Sequence, residues 1–312
     1  MSQDTGAVPT QLLPGLIVAN YGRHFLVEAS EGQRVICHSR GKKSVGLVGD
    51  QVLWKASEDE GTIEKILPRR NIFYRQDEIR TKSFAVNLDQ VLILLAAEPE
   101  FSSNQLSRAL IAAEAQNIKP IIGLNKSDLT IPFTRAWSWL EPYRSMDYQV
   151  LPLHLRALSD KPPTELIACL QGRSTLILGP SGAGKSTLIN LLAPGALAQT
   201  NEISQALQSG KHTTTSTTLY WGDSNKTTAL IDSPGFQEFG LHHIKPADIA
   251  SYMPDLRKHV KNCKFYNCTH LHEPGCGILA AISNPHPGDE VSTNRYKIYS
   301  DLYAELSEPK KY

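Results

Sequence analysis

The sequence contains no apolar run approaching the roughly 18 residues that a membrane span requires. Its first ten residues carry neither a basic start nor an apolar segment of the kind that marks a secretory signal. Both absences point to a cytoplasmic protein with no membrane partner. Bulk charge is missing too. With 32 Lys and Arg against 31 Asp and Glu the formal net charge is +1, so the total gives no signal for nucleic acid, although a basic patch on one domain fits inside that balance. Cysteine is sparse and odd in number: of five, Cys263, Cys268 and Cys276 crowd together while Cys37 and Cys169 stand alone. That pattern suits a reducing compartment better than a disulfide framework. Repeats and low-complexity tracts are absent. What is there is an ordinary globular composition, 41% hydrophobic and 20% charged, which argues against wholesale disorder. A length of 312 residues favours two or three domains.

From Leu13 to about residue 66, short β-rich runs are punctuated by Gly22, Gly32, Gly41, Gly46, Gly49 and Gly61, the rhythm of a small all-β barrel or sandwich. Pro68-Arg69-Arg70-Asn71 breaks it, and the polar, basic stretch through Lys82 reads as a connector. From Leu88 the pattern becomes an apolar strand at 91–95, an amphipathic stretch at 106–115 and a second apolar strand at 120–124. Such alternation signals a parallel sheet with crossover helices. Further strands are expected at 148–153, 175–178 and 228–231, and beyond about Gly240 helical segments surround a Cys/His cluster.

Gly179-Pro180-Ser181-Gly182-Ala183-Gly184-Lys185-Ser186-Thr187 follows one of these strands and opens a helical run, which is the context a phosphate-binding loop demands. Its glycines let backbone N–H groups close around phosphate oxygens, Lys185 is expected to reach the β and γ phosphates, and Ser186 to offer its hydroxyl to magnesium. Asn125-Lys126-Ser127-Asp128 sits at the carboxyl end of another strand. There a carboxylate at Asp128 can accept the two hydrogens on guanine's N1 and N2 edge, a pair that adenine lacks. Asp232-Ser233-Pro234-Gly235 matches the motif in which the Asp holds magnesium through water and the Gly N–H meets the γ phosphate. Between them, Gly210-Lys211-His212-Thr213-Thr214-Thr215 offers a threonine, taken as Thr214, to complete the magnesium shell.

The motif order is unusual. GTPases present the phosphate loop first and Asn/Lys/x/Asp last, whereas here Asn125 to Asp128 leads and Asp232 to Gly235 closes, a circular permutation that ties whatever follows to the γ-phosphate-sensing segment. Phe236 stands where GTPases of the Ras type place a water-orienting glutamine. His212 has the chemistry to position or deprotonate water near neutral pH and is the expected catalytic residue with Thr214, Gln237 being the other candidate. Near the carboxyl end, Cys263, Cys268, His270 and Cys276 make a complete tetrahedral donor set for a structural zinc ion. His272 competes with His270.

The permuted order, the Gly-Lys-His-Thr-Thr-Thr run, residues 232–240 reading Asp-Ser-Pro-Gly-Phe-Gln-Glu-Phe-Gly, and the Cys3His cluster together resemble the RsgA or YjeQ family of bacterial GTPases that depend on the small ribosomal subunit. The likeness covers nearly the whole chain. It implies an OB-fold that binds RNA at residues 1–80, a circularly permuted α/β G domain of the P-loop class at 81–240 and a helical zinc-binding module at 241–312. It also implies GTP hydrolysis to GDP, with magnesium accompanying GTP and one zinc per chain. Stimulation by the small subunit, contact with its ribosomal RNA, a late role in its maturation and a monomeric chain belong to the same expectation. One segment departs from the usual GTPase pattern: Leu151-Pro152-Leu153-His154-Leu155 stands where a Ser-Ala-like stretch helps to read guanine, which places base selectivity on Asp128. Two other functions compete with this one. A protein-binding regulator without an RNA role is compatible with the neutral charge, and an ATP-dependent enzyme with the phosphate loop, though Asn125 to Asp128 argues against the latter.

Overall fold

The computed structural model describes residues 12–40, 45–57, 60–156, 162–194, 217–233, 236, 239–285 and 290–308. Strands β1 (Leu13–Asn20), β2 (His24–Ala29), β3 (Arg34–Ser39), β4 (Gln51–Ala56) and β5 (Gly61–Ile66) close into a barrel. β1 pairs antiparallel with both β2 and β4, β2 with β3 and β4 with β5, while β3 runs parallel to β5. Closure through that parallel pair gives an OB-like barrel. Period-two alternation drives it: in β4, Val52 and Trp54 are buried while Gln51 is exposed and Leu53 and Lys55 are half-buried. Below the barrel, Asp50 is fully buried and is satisfied by the Leu47 N–H at 2.7 Å and by an Arg69 fork at 2.8 Å to each oxygen. Gly49 (φ +94°) is required here, because a Cβ would meet Val86 O at 2.3 Å.

The stretch that reads as a connector is a β-hairpin, β6 (Ile72–Gln76) with β7 (Thr81–Val86). Its polar residues hide the pattern, because its apolar side chains Phe73 and Phe84 sit together against Phe239.

The second layer is a sheet of β8 (Gln90–Ala96), β9 (Lys119–Asn125), β10 (Gln149–Pro152), β11 (Ser174–Leu178), β12 (Thr218–Trp221) and β13 (Ala229–Asp232), in the order β10-β9-β8-β11-β13-β12. All pairings are parallel except β12 with β13. β8 lies inside and all seven of its residues are buried, which is why it reads as a continuous apolar run. Its side chains serve two cores. Val91, Ile93 and Leu95 face the side of α1 (Ser103–Ala115), whereas Leu92 and Leu94 pack with residues of α4 (Thr164–Leu170) and α5 (Lys185–Leu192). Helices α2 (Thr130–Trp139) and α3 (Glu141–Arg144) follow β9.

Barrel and sheet meet at one backbone pairing, Ala19 with Thr218, and at buried Glu28. Burial alone would raise the Glu28 carboxyl, but hydrogen bonds from Lys226, Arg34 and Trp221 outweigh it and hold it below the usual carboxylate range.

Beyond the sheet come a 3-10 helix (Pro246–Tyr252), α6 (Pro254–Val260), α7 (Gly277–Ser283) and α8 (Thr293–Ser307). Arg295 of α8, at 2% exposure, fixes this module to the rest. Its guanidinium donates twice to Asp255 of α6 at 2.9 Å and once to Ser107 of α1 at 2.7 Å. Ser107 in turn lies 3.1 Å from the Tyr143 hydroxyl of α3. Among the described residues no helix is long and apolar enough to cross a membrane. Asp255→Ala strands the guanidinium in a dry interior, and urea denaturation is expected to show a loss of about 3 kcal/mol or more.

Candidate nucleotide site and metal centre

The carboxyl ends of the parallel strands gather the loops. Register places Ala96 beside Asn125, Leu178 beside Ile93, and Ile177 beside Asp232, so three motifs far apart in sequence open on one edge, where ligands of open α/β sheets bind.

The loop after β11 needs its glycines. A Cβ at Gly179 would lie 2.1 Å from Leu94 O, and at Gly184 (φ +105°) 2.5 Å from Asn125 Nδ2. With Gly184 as its cap, α5 begins at Lys185, so its first N–H groups face the loop as an anion-binding end. Lys185 Nζ donates to Gly179 O at 2.7 Å and Pro180 O at 3.0 Å, which lays the ammonium across the loop. Ala183 is buried, while Ser181, Gly182 and Ser186 are exposed and Pro180 and Thr187 half-buried.

Asn125, 5% exposed, spends its side chain on structure: Nδ2 donates to Ala183 O at 2.9 Å and Oδ1 accepts from Leu155 N at 3.1 Å. Lys126 takes a left-handed backbone (φ +68°) and donates to Glu98 O. The Ser127 N–H donates to Leu153 O at 3.1 Å, and the Asp128 carboxylate stays half-exposed at the rim.

Asp232 ends β13 with Oδ1 buried and unpartnered, and the neighbouring Ser233 hydroxyl shares that condition. Burial raises the Asp232 carboxyl, opposed by the Lys185 charge and the Ser233 N–H. Burial likewise lowers the Lys185 ammonium, opposed by Asp232. An anionic phosphate beside Lys185 and a hard dication near Asp232 and Ser186 would restore both charged forms, so the donor set fits a nucleotide with its magnesium. Phe236 is 4% exposed and packs 6.3 Å from Phe239, a core role. His212, Thr214, Gly235 and Gln237 lie outside the described residues.

The model of the RsgA GTPase family matches residues 66–242. The chain belongs to the RsgA GTPase family. It is 66% identical over 294 residues to the small ribosomal subunit biogenesis GTPase RsgA of Variovorax paradoxus, across 94% of this chain and 92% of that one. To the protein of the same name from Paraburkholderia xenovorans it is 49% identical over 299 residues, with 94% and 93% covered. Among solved structures it resembles YloQ, a circularly permuted GTPase, with TM-score 0.70 and 26% identity over 96% of this chain and 98% of that one. It also resembles YjeQ from Thermotoga maritima, with TM-score 0.73 and 27% identity over 95% and 99%. As an RsgA GTPase the chain is a GTP-hydrolysing enzyme with a permuted G domain behind an OB-like barrel.

The chain also carries a cluster that could hold a metal ion. The ligand atoms of Cys263, Cys268, His270 and Cys276 lie within 4.8 Å of one another. His270 Nδ1 points at two of the sulfurs, 3.4 Å from Cys263 and 3.6 Å from Cys276, and His272 is exposed outside the group. Burial and the neighbouring thiols push Cys268 up to about 12, so a cation is what would make these sulfurs thiolates. Sequence reasoning passed over Glu273, whose carboxylate accepts from Thr269 N at 2.8 Å and Leu271 N at 3.2 Å and so shapes the ligand loop. Its only signal was its place between His270 and Cys276. It also missed that His154 reaches Asp128.

Asn125→Ala would leave Ala183 O and Leu155 N without their partner in a buried site, at about 1–3 kcal/mol each. Thermal melting is expected to drop, and GDP affinity, read by titration calorimetry, to fall on the order of tenfold or more.

Proposed function

We propose that this chain hydrolyses GTP to GDP and phosphate in a cycle stimulated by the small ribosomal subunit, acting late in maturation of that subunit and contacting its ribosomal RNA. The observation that carries the nucleotide half is the Asn125 side chain joined to the phosphate loop, which keeps the loop bearing Asp128 beside the loop that Lys185 spans. The ribosomal half rests on the relatives, which are named small ribosomal subunit biogenesis GTPases.

In this reading the N–H groups of residues 179–187 cradle phosphate, Lys185 meets the β and γ oxygens, and Asp128 reads guanine. Ser186, Asp232 and Thr214 serve magnesium, the Gly235 N–H meets the γ phosphate, and His212 positions the attacking water. Zinc, one per chain, is held by Cys263, Cys268, His270 and Cys276 with no open position, so it staples the fold and takes no part in chemistry. The barrel within residues 1–80 and the module at 241–312 grip RNA while the domain at 81–240 switches. The chain works as a cytoplasmic monomer.

Hydrolysis measured with and without purified small subunits tests the proposal, and turnover is expected to rise on the subunit. His212→Ala should keep nucleotide binding and lower stimulated turnover on the order of 10², with Gln237→Ala doing much less. Parental turnover in His212→Ala would shift the role to a ribosomal group, and no response to subunits would favour a protein-binding regulator. Metal analysis of freshly purified protein is expected to give one zinc per chain. Stripping it should unfold the carboxyl-terminal module, because thiolate binding energy of roughly 10 kcal/mol couples to folding.

A further inference from the structure

His154 is delivered to the guanine loop by its neighbours. Leu153 and Leu155 are 1% and 5% exposed, both in the core cluster on the α4 and α5 side of the sheet. The residue between them must therefore face away from that core. Backbone bonds then fix the segment on both sides: Leu153 N donates to Leu124 O at 2.8 Å, Ser127 N to Leu153 O at 3.1 Å, and Leu155 N to Asn125 Oδ1 at 3.1 Å. The outcome is an imidazole Nε2 3.4 Å from Asp128 Oδ1, with the two side chains 40% and 44% exposed. Among the described residues this is the ion-pair contact that Asp128 makes.

We infer that His154 is a positioning residue that orients the Asp128 carboxylate for guanine. The inference rests on the reading that Asp128 accepts from the base. A half-exposed carboxylate rotates freely, whereas guanine needs both oxygens in the plane of its N1–H and N2–H donors. The imidazole Nε2, at ion-pair distance from Oδ1, stands beside one carboxylate oxygen and leaves the remaining acceptor directions to the base. The rotational freedom is then removed before the nucleotide arrives, the general benefit of preorganisation. In this chain, where Leu153-His154-Leu155 stands in place of the Ser-Ala-like stretch, the imidazole is the group from that stretch that reaches the Asp128 carboxylate. The effect falls on base selectivity, because a base with one donor, hypoxanthine, depends less on carboxylate orientation than a base with two.

The test is titration calorimetry of the full-length protein with GDP, IDP and XDP. His154→Ala is expected to weaken GDP about threefold, the scale of a half-exposed ion-pair contact. IDP should be weakened less, so the GDP-over-IDP preference narrows. His154→Gln, which keeps an N–H donor, should recover most of that preference. In an Asp128→Asn background His154→Ala should have no further effect on base preference. Two results overturn the inference: a parental GDP-over-IDP preference in His154→Ala, or Ala and Gln variants that weaken GDP and IDP by one common factor. Asp128→Asn alone tells the two levels apart. If it shifts preference from GDP toward XDP while His154→Ala changes nothing, only the role of His154 falls. If it leaves GDP binding unchanged, the reading of the loop and the role of His154 fall together.

Discussion

Two loops separated by 58 residues are held together by one buried amide, Asn125 donating to Ala183 O, and the same side chain accepts from Leu155 N. Through it the phosphate loop, the guanine loop and the segment after β10 become a single unit. The close approach dictates sequence elsewhere: Gly184 has to lack a Cβ because Asn125 Nδ2 occupies that space. Strand register supplies the rest, since pairing Ala96 with Asn125 and Ile177 with Asp232 brings the strand ends to a common edge before any side chain acts. An amide suits this position because it carries a donor NH2 and an acceptor carbonyl in fixed relation, and each is used.

Contacts of this kind act through space, which is why the motif order can be permuted without changing the site. Permutation alters what the chain does on leaving β13. Phe236 packs on Phe239, which in turn packs on Phe73 and Phe84 of the hairpin. Gln76 then exchanges backbone bonds with Gly240 O at 3.0 Å and His242 N at 2.9 Å. Arg108 joins Phe239 O to Glu305 of α8. The segment directly after Asp232 is thus gripped by the hairpin and by the carboxyl-terminal module at once. Phe239 and its neighbours thus have packed contacts to both, with Arg108 as the shared one.

Most of this was legible in the sequence where local chemistry and burial agree. The phosphate loop and the Cys3His set announce themselves because spacing alone nearly determines the geometry. The parallel strands do so because full burial leaves an unbroken apolar run such as Gln90–Ala96. The hairpin was not legible, since its strands are short and each joins a brief apolar run to polar and charged residues, and Phe73, Phe84 and Phe239 together explain why it folds. The His154 contact was hidden for a different reason. Its partner is 26 positions away in the sequence, and its direction is set by the burial of Leu153 and Leu155, which a motif search does not weigh.

Buried charge separates the structural from the functional parts of the molecule. Asp50, Glu28 and Arg295 are each 6% exposed or less, and each is matched by donors or acceptors from within the chain. They hold barrel, sheet and module together. Asp232 is buried as well, yet its Oδ1 has no partner, and burial raises its carboxyl despite the nearby Lys185. The clustered thiols are in the same position, with Cys268 pushed up to about 12. A folded chain tolerates such groups when something outside it completes them, because an uncompensated buried charge costs several kcal/mol. In the proposed reading a dication beside phosphate would complete Asp232, and a metal ion could complete Cys268 among its four clustered ligands. Among the described residues, Asp232 and the Cys/His cluster are thus two places where a cation from outside the chain fits groups that the fold leaves incomplete.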